Sequence, residues 1–320
     1  MVTTDWLDLI NQSKTIALFS HINSDGDANG SVMAMKHLLD AMGKETYVFV
    51  PSPISVSYAF TGVCDISCTK HLKSYDLAIG LDAPNPKRFG QCEPEFHKAQ
   101  KTICIDHHAD NEFYADITIL DANISSTCEL LYNLFIKNNL TITKDIATCL
   151  YLGISTDTGG FMHSLHGAVT VDTWKAVAQL GESGADMEKV NYEIFVHLRK
   201  PVFEIYRKGL NHVEFFEDGR IALLCINKRL LDETRAELND THKLTDLIGG
   251  IDGVEISAIM TQRKYREQVV SVRSKIHNAQ RICKAFGGGG HLRAAGCRIF
   301  VPFAEAKAEL LQECIKELKR

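Results

Sequence analysis

The chain reads Thr15-Ile16-Ala17-Leu18-Phe19-Ser20-His21-Ile22-Asn23-Ser24-Asp25-Gly26-Asp27 near its N-terminus. A short apolar run that ends in a turn is typical of a buried parallel β-strand. His21, Asp25 and Asp27 would then lie just beyond the carboxyl end of that strand, where open α/β sheets bind their ligands. This stretch therefore predicts a parallel sheet and a place for a functional site on it.

Two further apolar runs end in the same way. Residues 77–81 lead into Asp82, and residues 102–105 lead into Asp106-His107-His108. Helical spacing follows the first strand over residues 28–39, and a helix over residues 143–156 ends at Asp157. Alternating strands and helices predict a doubly wound parallel sheet, with the acids and histidines of all three runs at one edge.

The length of 320 residues favours two domains. Residues 181–185 break the alternating pattern, and Pro201 should end or kink the helical segment that follows. We predict a doubly wound domain over residues 1–184, a helical linker over residues 185–210, and a smaller mixed-sheet α/β domain over residues 211–320. The active site is expected in the cleft between the two domains.

Charge and composition exclude several classes of protein. A net charge of −5 argues against a protein that coats long duplex nucleic acid. No apolar run is long enough to cross a bilayer, and no basic-then-apolar leader opens the chain. The ten cysteines lack the spacing of a disulfide framework, so buried thiols in a reducing cytoplasm are expected.

Six side chains form a candidate two-metal site: His21, Asp25, Asp27, Asp82, His107 and Asp157. Taken singly, an Asp-x-Asp turn often only caps a helix, and a His-His pair is often structural. Four converging carboxylates, however, would repel one another and raise one another's pKa unless cations offset their charge. Oxygen-rich ligands with two imidazoles favour Mn²⁺ or Mg²⁺ over a closed zinc site.

The order of these motifs resembles the DHH phosphoesterase superfamily, which is named for the tripeptide found here as Asp106-His107-His108. The matching motifs are His21-x-x-x-Asp25-x-Asp27, Asp82, Asp106-His107-His108 and Asp157. The late run from Gly287 to Gly296 resembles a loop of the domain that follows the DHH domain in the nanoRNase and pAp phosphatase-like branch. The resemblance covers nearly the whole chain.

The resemblance implies which side chains bind which ion. One ion would be bound by His21, Asp25 and Asp82, and the other by Asp27, Asp82, His107 and Asp157, so that Asp82 bridges them. Two divalent cations per chain are expected, with Mn²⁺ preferred and Mg²⁺ or Co²⁺ as alternatives. His108 would bind the phosphate or assist proton transfer, and Asp106 would orient His107.

The resemblance also implies substrate contacts. Arg273-Ser274 resembles a substrate-binding Arg-Ser element, and Arg273 and His291 would bind a terminal phosphate. Backbone N–H groups of Gly288, Gly289 and Gly290 can cradle a phosphate because no side chain blocks close approach. Arg88 would reach the scissile group, although a surface role is the alternative. The first domain would then be catalytic, and the domain over residues 211–320 would bind substrate.

The leading functional hypothesis is a two-metal phosphoesterase of the cytoplasm. It would hydrolyse very short oligonucleotides and linear dinucleotides such as pApA and pGpG to mononucleotides, and would remove the 3′-phosphate of pAp. The alternatives are a cyclic di-AMP phosphodiesterase, a family II-like inorganic pyrophosphatase, and a non-catalytic binding module. No membrane partner is expected, and a homodimer is an alternative to a monomer.

Overall fold

Five strands form the sheet of the N-terminal part of the chain: β1 (Thr15–Phe19), β2 (Glu45–Phe49), β3 (Tyr75–Leu81), β4 (Ala99–Asp106) and β5 (Ile117–Leu120). The computed structural model describes residues 5–51, 54–63, 71–162, 169–290 and 292–320. The strand order is β2-β1-β3-β4-β5, and each neighbouring pair is parallel. The three runs that carry the acids and histidines are therefore adjacent strands, β1, β3 and β4.

Both faces of this sheet are buried, which explains the nearly continuous apolar character of its strands. Ile16 and Leu18 of β1 face a large aliphatic core, whereas Ala17 and Phe19 face a smaller aromatic one. Phe19 stacks on Phe49 of β2 with ring centroids 4.8 Å apart. The helices of this part are α1 (Asp5–Gln12), α2 (Gly26–Ala41), α3 (Glu93–Phe96), α4 (Thr127–Lys137), α5 (Lys144–Asp157), α6 (Val171–Glu182) and α7 (Met187–Asn191).

Helices α2 and α5 approach each other closely because glycines lie where they meet. A Cβ atom on Gly30 would lie 2.5 Å from the carbonyl oxygen of Cys149. A Cβ atom on Gly153 would overlap with Cys128 Sγ and with a carboxylate oxygen of Asp27. The small residues therefore let α5 pass directly beside the acidic end of α2.

The two tryptophans have different environments. Trp6 on α1 is fully buried in the aliphatic core. Trp174 on α6 is about half exposed and packs against Phe161, with ring centroids 4.6 Å apart.

The C-terminal part contains a second sheet, which is mixed as predicted. Its order is β10-β11-β9-β8-β7-β6, and β7 and β8 are its one parallel pair among the described residues. The strands are β6 (Val213–Phe216), β7 (Ile221–Ile226), β8 (Ile256–Lys264), β9 (Glu267–Ser274), β10 (Gly289–Gly290) and β11 (Ala294–Ile299). The helices are α8 (Lys200–Gly209), α9 (Lys228–Thr234), α10 (His242–Gly249), α11 (Ala279–Lys284) and α12 (Phe303–Leu318). The predicted α/β fold with a parallel sheet and a separate mixed sheet is confirmed.

The chain divides into two compact units, Met1–His197 and Leu198–Arg320. The division falls inside the segment predicted as a linker, residues 185–210. Pro201 does not interrupt a helix there, because α7 ends earlier, at Asn191, and a π-helical turn over Tyr192–Val196 follows it. Pro201 instead lies in the first turn of α8, where a residue without an N–H group loses no helical hydrogen bond. The domain boundaries over residues 1–184 and 211–320 stay predictions.

Among the described residues, each helix is too short or too polar to cross a bilayer. The eight cysteines within this part of the chain are free thiols.

An ion-pair cluster in the C-terminal unit predicts a pH-dependent contribution to stability. Glu255 accepts two hydrogen bonds from the Arg220 guanidinium, at 2.8 and 3.0 Å, and lies 2.7 Å from His277 Nε2. Arg220 and then His277 lower the pKa of Glu255 to about 2. We expect Glu255→Gln to lower the free energy of unfolding at pH 7 by about 1 kcal/mol or less, since water reaches the pair.

The difference in the free energy of unfolding between wild type and Glu255→Gln should become smaller as the pH is lowered. Above the unfolded-state pKa of about 4.3 the carboxylate is ionised in both states, so the ion pairs stabilise only the folded protein. As the pH falls toward 2, the folded carboxyl also becomes protonated and this stabilisation is lost. Urea unfolding followed by circular dichroism at pH 7 and pH 3 measures the difference, and a gap that widens at pH 3 would contradict the assignment.

Candidate two-metal centre

Asp82 lies immediately after β3, in a backbone conformation that places its carboxylate at the centre of the site. Its φ is 55°, a left-handed value that aspartate adopts more readily than most residues. Its N–H donates to the carbonyl of Ile105 at 3.1 Å, which anchors the turn to β4. The two carboxylate oxygens face different histidines: Oδ2 is 3.4 Å from His21 Nε2, and Oδ1 is 3.6 Å from His107 Nε2.

The first group of candidate ligands is His21, Asp25 and Asp82, whose donor atoms all lie within 4.8 Å of one another. His21 Nε2 is 3.8 Å from Asp25 Oδ2. On its other side, His21 Nδ1 is 2.8 Å from the carbonyl oxygen of Ile22. Since a carbonyl can only accept, this contact favours a proton on Nδ1, so Nε2 is the ring nitrogen through which His21 would bind a metal.

The second group is Asp27, His107 and Asp157, whose donor atoms also lie within 4.8 Å of one another. His107 Nε2 lies 3.2 Å from Asp157 Oδ2 and 3.9 Å from Asp27 Oδ2. Asp27 is a residue of α2, and its fully buried side chain lies against the N-terminus of α4. There the N–H groups of Thr127 and Cys128 donate to its two carboxylate oxygens at 2.7 and 2.9 Å. The positive end of the helix dipole favours the negative charge of this carboxylate.

The electrostatics of the cluster show a shortage of positive charge. Burial, and then repulsion by Asp82 and Asp157, raises the pKa of Asp27 well above its usual value. Burial is also the main cause that raises the pKa of Asp157 to about 6. Burial opposes the charged form of His107, but the surrounding carboxylates outweigh it and raise the pKa of His107 to about 10.

The same balance holds on the other side of Asp82. Burial again opposes ionisation of His21, yet the hydrogen bond to Asp82 and the charges of Asp25 and Asp82 raise its pKa to about 9. In the absence of cations, the histidines thus gain protons to offset the carboxylates. Divalent cations would supply that charge directly, and a donor set of carboxylates and imidazoles suits them. The residues present therefore fit a metal centre.

The comparison with known families agrees with this geometry. Residues 15–154 match the sequence profile described as DHH family, N-terminal domain. The N-terminal unit contains a DHH-family domain. All the strands that carry the candidate ligands lie within the matched residues, and Asp157 follows three residues after them.

Relatives match over most of the chain. A protein of Thermus thermophilus named bifunctional oligoribonuclease and PAP phosphatase NrnA is 27% identical over 305 residues, covering 94% of this chain and 89% of its own. The crystal structure of an exopolyphosphatase-related protein from Bacteroides fragilis is similar with a TM-score of 0.89 at 23% identity, covering 98% and 95% of the two chains. RecJ of Thermus thermophilus in complex with Mn²⁺ shares the fold at a TM-score of 0.57 and 14% identity, covering 98% of this chain and 54% of its own.

Asp106 of the DHH tripeptide has more contacts than the sequence indicated. Its Oδ1 accepts from the backbone N–H of His107 at 2.9 Å and lies 2.8 Å from His108 Nδ1. Its Oδ2 accepts from Asn111 Nδ2 at 2.6 Å. We predicted that Asp106 orients His107; in the structure Asp106 contacts the backbone N–H of His107 and the ring nitrogen Nδ1 of His108. His108 Nδ1 is 3.7 Å from Asp82 Oδ1, so this ring borders the site.

The predicted substrate contacts lie in both units of the chain. Arg88 in the N-terminal unit places its Nη2 3.3 Å from His21 Nδ1, beside the first group of ligands. In the C-terminal unit, Arg273 Nε donates to Asp246 Oδ1 at 2.9 Å, and Ser274 Oγ accepts from the N–H of His277 at 2.8 Å.

The glycine segment lies beside the same strand as Arg273. Gly289 and Gly290 pair with Gly296 and Ala295 of β11, and β11 pairs on its other side with β9, which carries Arg273. A Cβ atom on Gly288 would overlap with Cys297, so this glycine permits a close approach of the two segments. His291 lies outside the described residues.

Two residues near the site were missed by the sequence analysis. Tyr58 lies in the 3₁₀ turn Val56–Thr61, and burial followed by the charges of Asp25 and Asp157 raises the pKa of its hydroxyl. No motif precedes or follows Tyr58, so the sequence carries no signal for it. The other missed residue is Thr127, whose hydroxyl donates to Asp82 Oδ1 at 3.0 Å. For Thr127 the sequence does carry a signal, because this residue ends the Ser-Ser-Thr run that leads into α4.

Proposed function

We propose that this protein is a phosphoesterase that hydrolyses very short oligonucleotides and linear dinucleotides, such as pApA and pGpG, to mononucleotides, and that it removes the 3′-phosphate of pAp. The observation that supports this most strongly is the position of Asp82, between two groups of histidine and carboxylate donors in a DHH-family domain. The names of relatives that cover most of the chain, oligoribonuclease and PAP phosphatase, give the substrate class.

Two divalent cations would be bound by the six candidate ligands. His21, Asp25 and Asp82 would bind one, and Asp27, Asp82, His107 and Asp157 the other. Oxygen-rich coordination supports Mn²⁺, with Mg²⁺ or Co²⁺ as alternatives. When bound, such a pair activates water for attack on phosphorus and stabilises the leaving oxygen.

The protein's own residues would orient the substrate and move the proton. Asp106 holds His108 through Nδ1, and His108 would contact a phosphate oxygen or give a proton to the leaving group. Arg88 carries a positive charge beside His21, which suits the scissile phosphate. In the proposed substrate-binding domain, Arg273, Ser274, the glycines 288–290 and His291 would bind the terminal phosphate and so favour short substrates.

Removal of metal is expected to abolish activity reversibly. After treatment with a chelator, hydrolysis of pApA and pAp should fall to background, because the buried carboxylates would then be balanced only by protons. Addition of Mn²⁺ should restore activity, and Mg²⁺ and Co²⁺ serve as comparisons. Chromatographic separation of the products measures the rates, and activity that persists in chelator contradicts the two-cation mechanism.

A substrate panel tests the substrate class. With Mn²⁺ present, pApA, pGpG and pAp should be hydrolysed faster than cyclic di-AMP and pyrophosphate. A preference for cyclic di-AMP would support the cyclic dinucleotide phosphodiesterase instead. Hydrolysis of none of the five compounds by protein with two bound Mn²⁺ would support a non-catalytic module.

A further inference from the structure

We propose that Thr127 is a positioning residue that holds the carboxylate of Asp82 in the orientation needed to bridge two cations. This inference rests on the proposed metal centre and adds a residue to it. Thr127 is the first residue of α4 and is fully buried. It is separated from Asp82 by 45 residues and from Asp27 by 100, and it contacts both.

Thr127 contacts the two aspartates through different groups. Its backbone N–H donates to Asp27 Oδ2 at 2.7 Å, and its side-chain hydroxyl donates to Asp82 Oδ1 at 3.0 Å. A carboxylate can only accept, so the direction of the hydroxyl hydrogen bond is set by its partner. Thr127 thus connects Asp82 to Asp27 through two hydrogen bonds.

The hydroxyl acts on one oxygen of Asp82. Oδ1 is the oxygen that faces His107 at 3.6 Å and His108 at 3.7 Å, whereas Oδ2 faces His21 at 3.4 Å. The hydrogen bond from Thr127 occupies one acceptor direction of Oδ1 and restricts rotation of the carboxylate about its Cβ–Cγ bond. Loss of the hydroxyl should therefore weaken the ion of the Asp27, His107 and Asp157 group more than the ion of the His21 and Asp25 group.

Substitution can separate this hydroxyl from the other contacts of Thr127. Thr127→Val removes the hydroxyl and keeps the shape of the side chain, while the backbone N–H bond to Asp27 is retained. Thr127→Ser keeps the hydroxyl and removes a methyl group. Thr245→Val is a matched control, because Thr245 is also fully buried and its Oγ1 has no hydrogen-bond partner among the described residues.

The test is a titration of metal-free protein with Mn²⁺, in which electron paramagnetic resonance measures free Mn²⁺ and the signal of a coupled Mn²⁺ pair. We expect Thr127→Val to bind one of its two Mn²⁺ about 10- to 100-fold more weakly than wild type, the usual effect of losing an outer partner of a metal ligand. The other Mn²⁺ should bind as in wild type. Thr127→Ser and Thr245→Val should resemble wild type, and Thr127→Ala replaces Thr127→Val if the valine variant does not fold.

Two results would overturn the inference. In one, Thr127→Val binds both ions as tightly as wild type. In the other, Thr127→Ser is as weak as Thr127→Val, which would assign the effect to packing. A wild-type protein that binds fewer than two Mn²⁺ would instead refute the proposed metal centre, so the two failures are distinguishable.

Discussion

Asp82→Ala is expected to abolish hydrolysis of both pApA and pAp. Asp82 lies close to His21 and Asp25 on one side and to His107 and His108 on the other, so its removal would take one ligand from each proposed cation at once. It also leaves His21 and His107 without the carboxylate that lies between them. The loss should exceed the roughly 10- to 100-fold effect of removing an outer partner of a ligand. Steady-state rates with saturating Mn²⁺ measure it.

The matched variants separate the charge of Asp82 from the shape of its turn. Asn tolerates the left-handed conformation at φ 55°, so Asp82→Asn should fold as wild type and still be inactive. Asp40→Asn makes the same chemical change at a partly exposed aspartate that pairs with Lys36, and should retain activity. An Asp82→Asn protein with a near-normal kcat would refute the role of Asp82 as a bridging ligand.

Gly153→Ala is expected to have the second largest effect, although no ligand is changed. The new methyl group would overlap with Cys128 Sγ and with a carboxylate oxygen of Asp27. Either α5 moves away from α2, or Asp27 leaves the N–H groups of α4. We expect a loss of about 1–3 kcal/mol in the free energy of unfolding, typical of an overfilled core, together with a loss of bound Mn²⁺.

Gly209→Ala is the control for this substitution. Gly209 is also buried in a helix, but a Cβ atom there would meet only Leu244 Cδ1 at 3.9 Å and Ile226 Cδ1 at 4.0 Å. That space is sufficient, so alanine should leave stability unchanged or raise it by about 0.5–1 kcal/mol. Chemical unfolding and metal analysis of both variants test the pair. A Gly153→Ala protein with wild-type stability and two bound Mn²⁺ would contradict the close packing described for α2 and α5.

The strands that carry the site could be predicted from the sequence because each one is buried on both faces. The run over residues 15–19 coincides with β1, and the runs before Asp82 and His107 fall within β3 and β4. The edge strand β5 (Ile117–Leu120) was missed, since each of its residues is only partly buried and no candidate ligand follows it. Burial on both faces creates the continuous apolar signal, and β5 lacks it, whereas the other edge strand, β2, is buried over Tyr47, Val48 and Phe49.

The sequence predicted which residues lie together in the candidate site better than it predicted the hydrogen bonds between them. The motifs place His21, Asp82 and His107 at the ends of neighbouring strands, which follows from the topology of a parallel sheet. The hydrogen bond between Thr127 and Asp82, in contrast, joins residues that are distant in sequence, and it depends on where α4 begins relative to β3. The contact of Asp106 with His108 depends on ring orientation, which residue spacing does not determine.

The positions of the two tryptophans allow the unfolding of one unit to be followed by intrinsic fluorescence. Trp6 and Trp174 both belong to the N-terminal unit, and residues 198–320 contain none. The emission of the two indoles during heating therefore follows the unfolding of the N-terminal unit alone, whereas far-ultraviolet ellipticity follows the helices and strands of both units. A difference in midpoint temperature between the fluorescence curve and the ellipticity curve would show that one unit unfolds before the other.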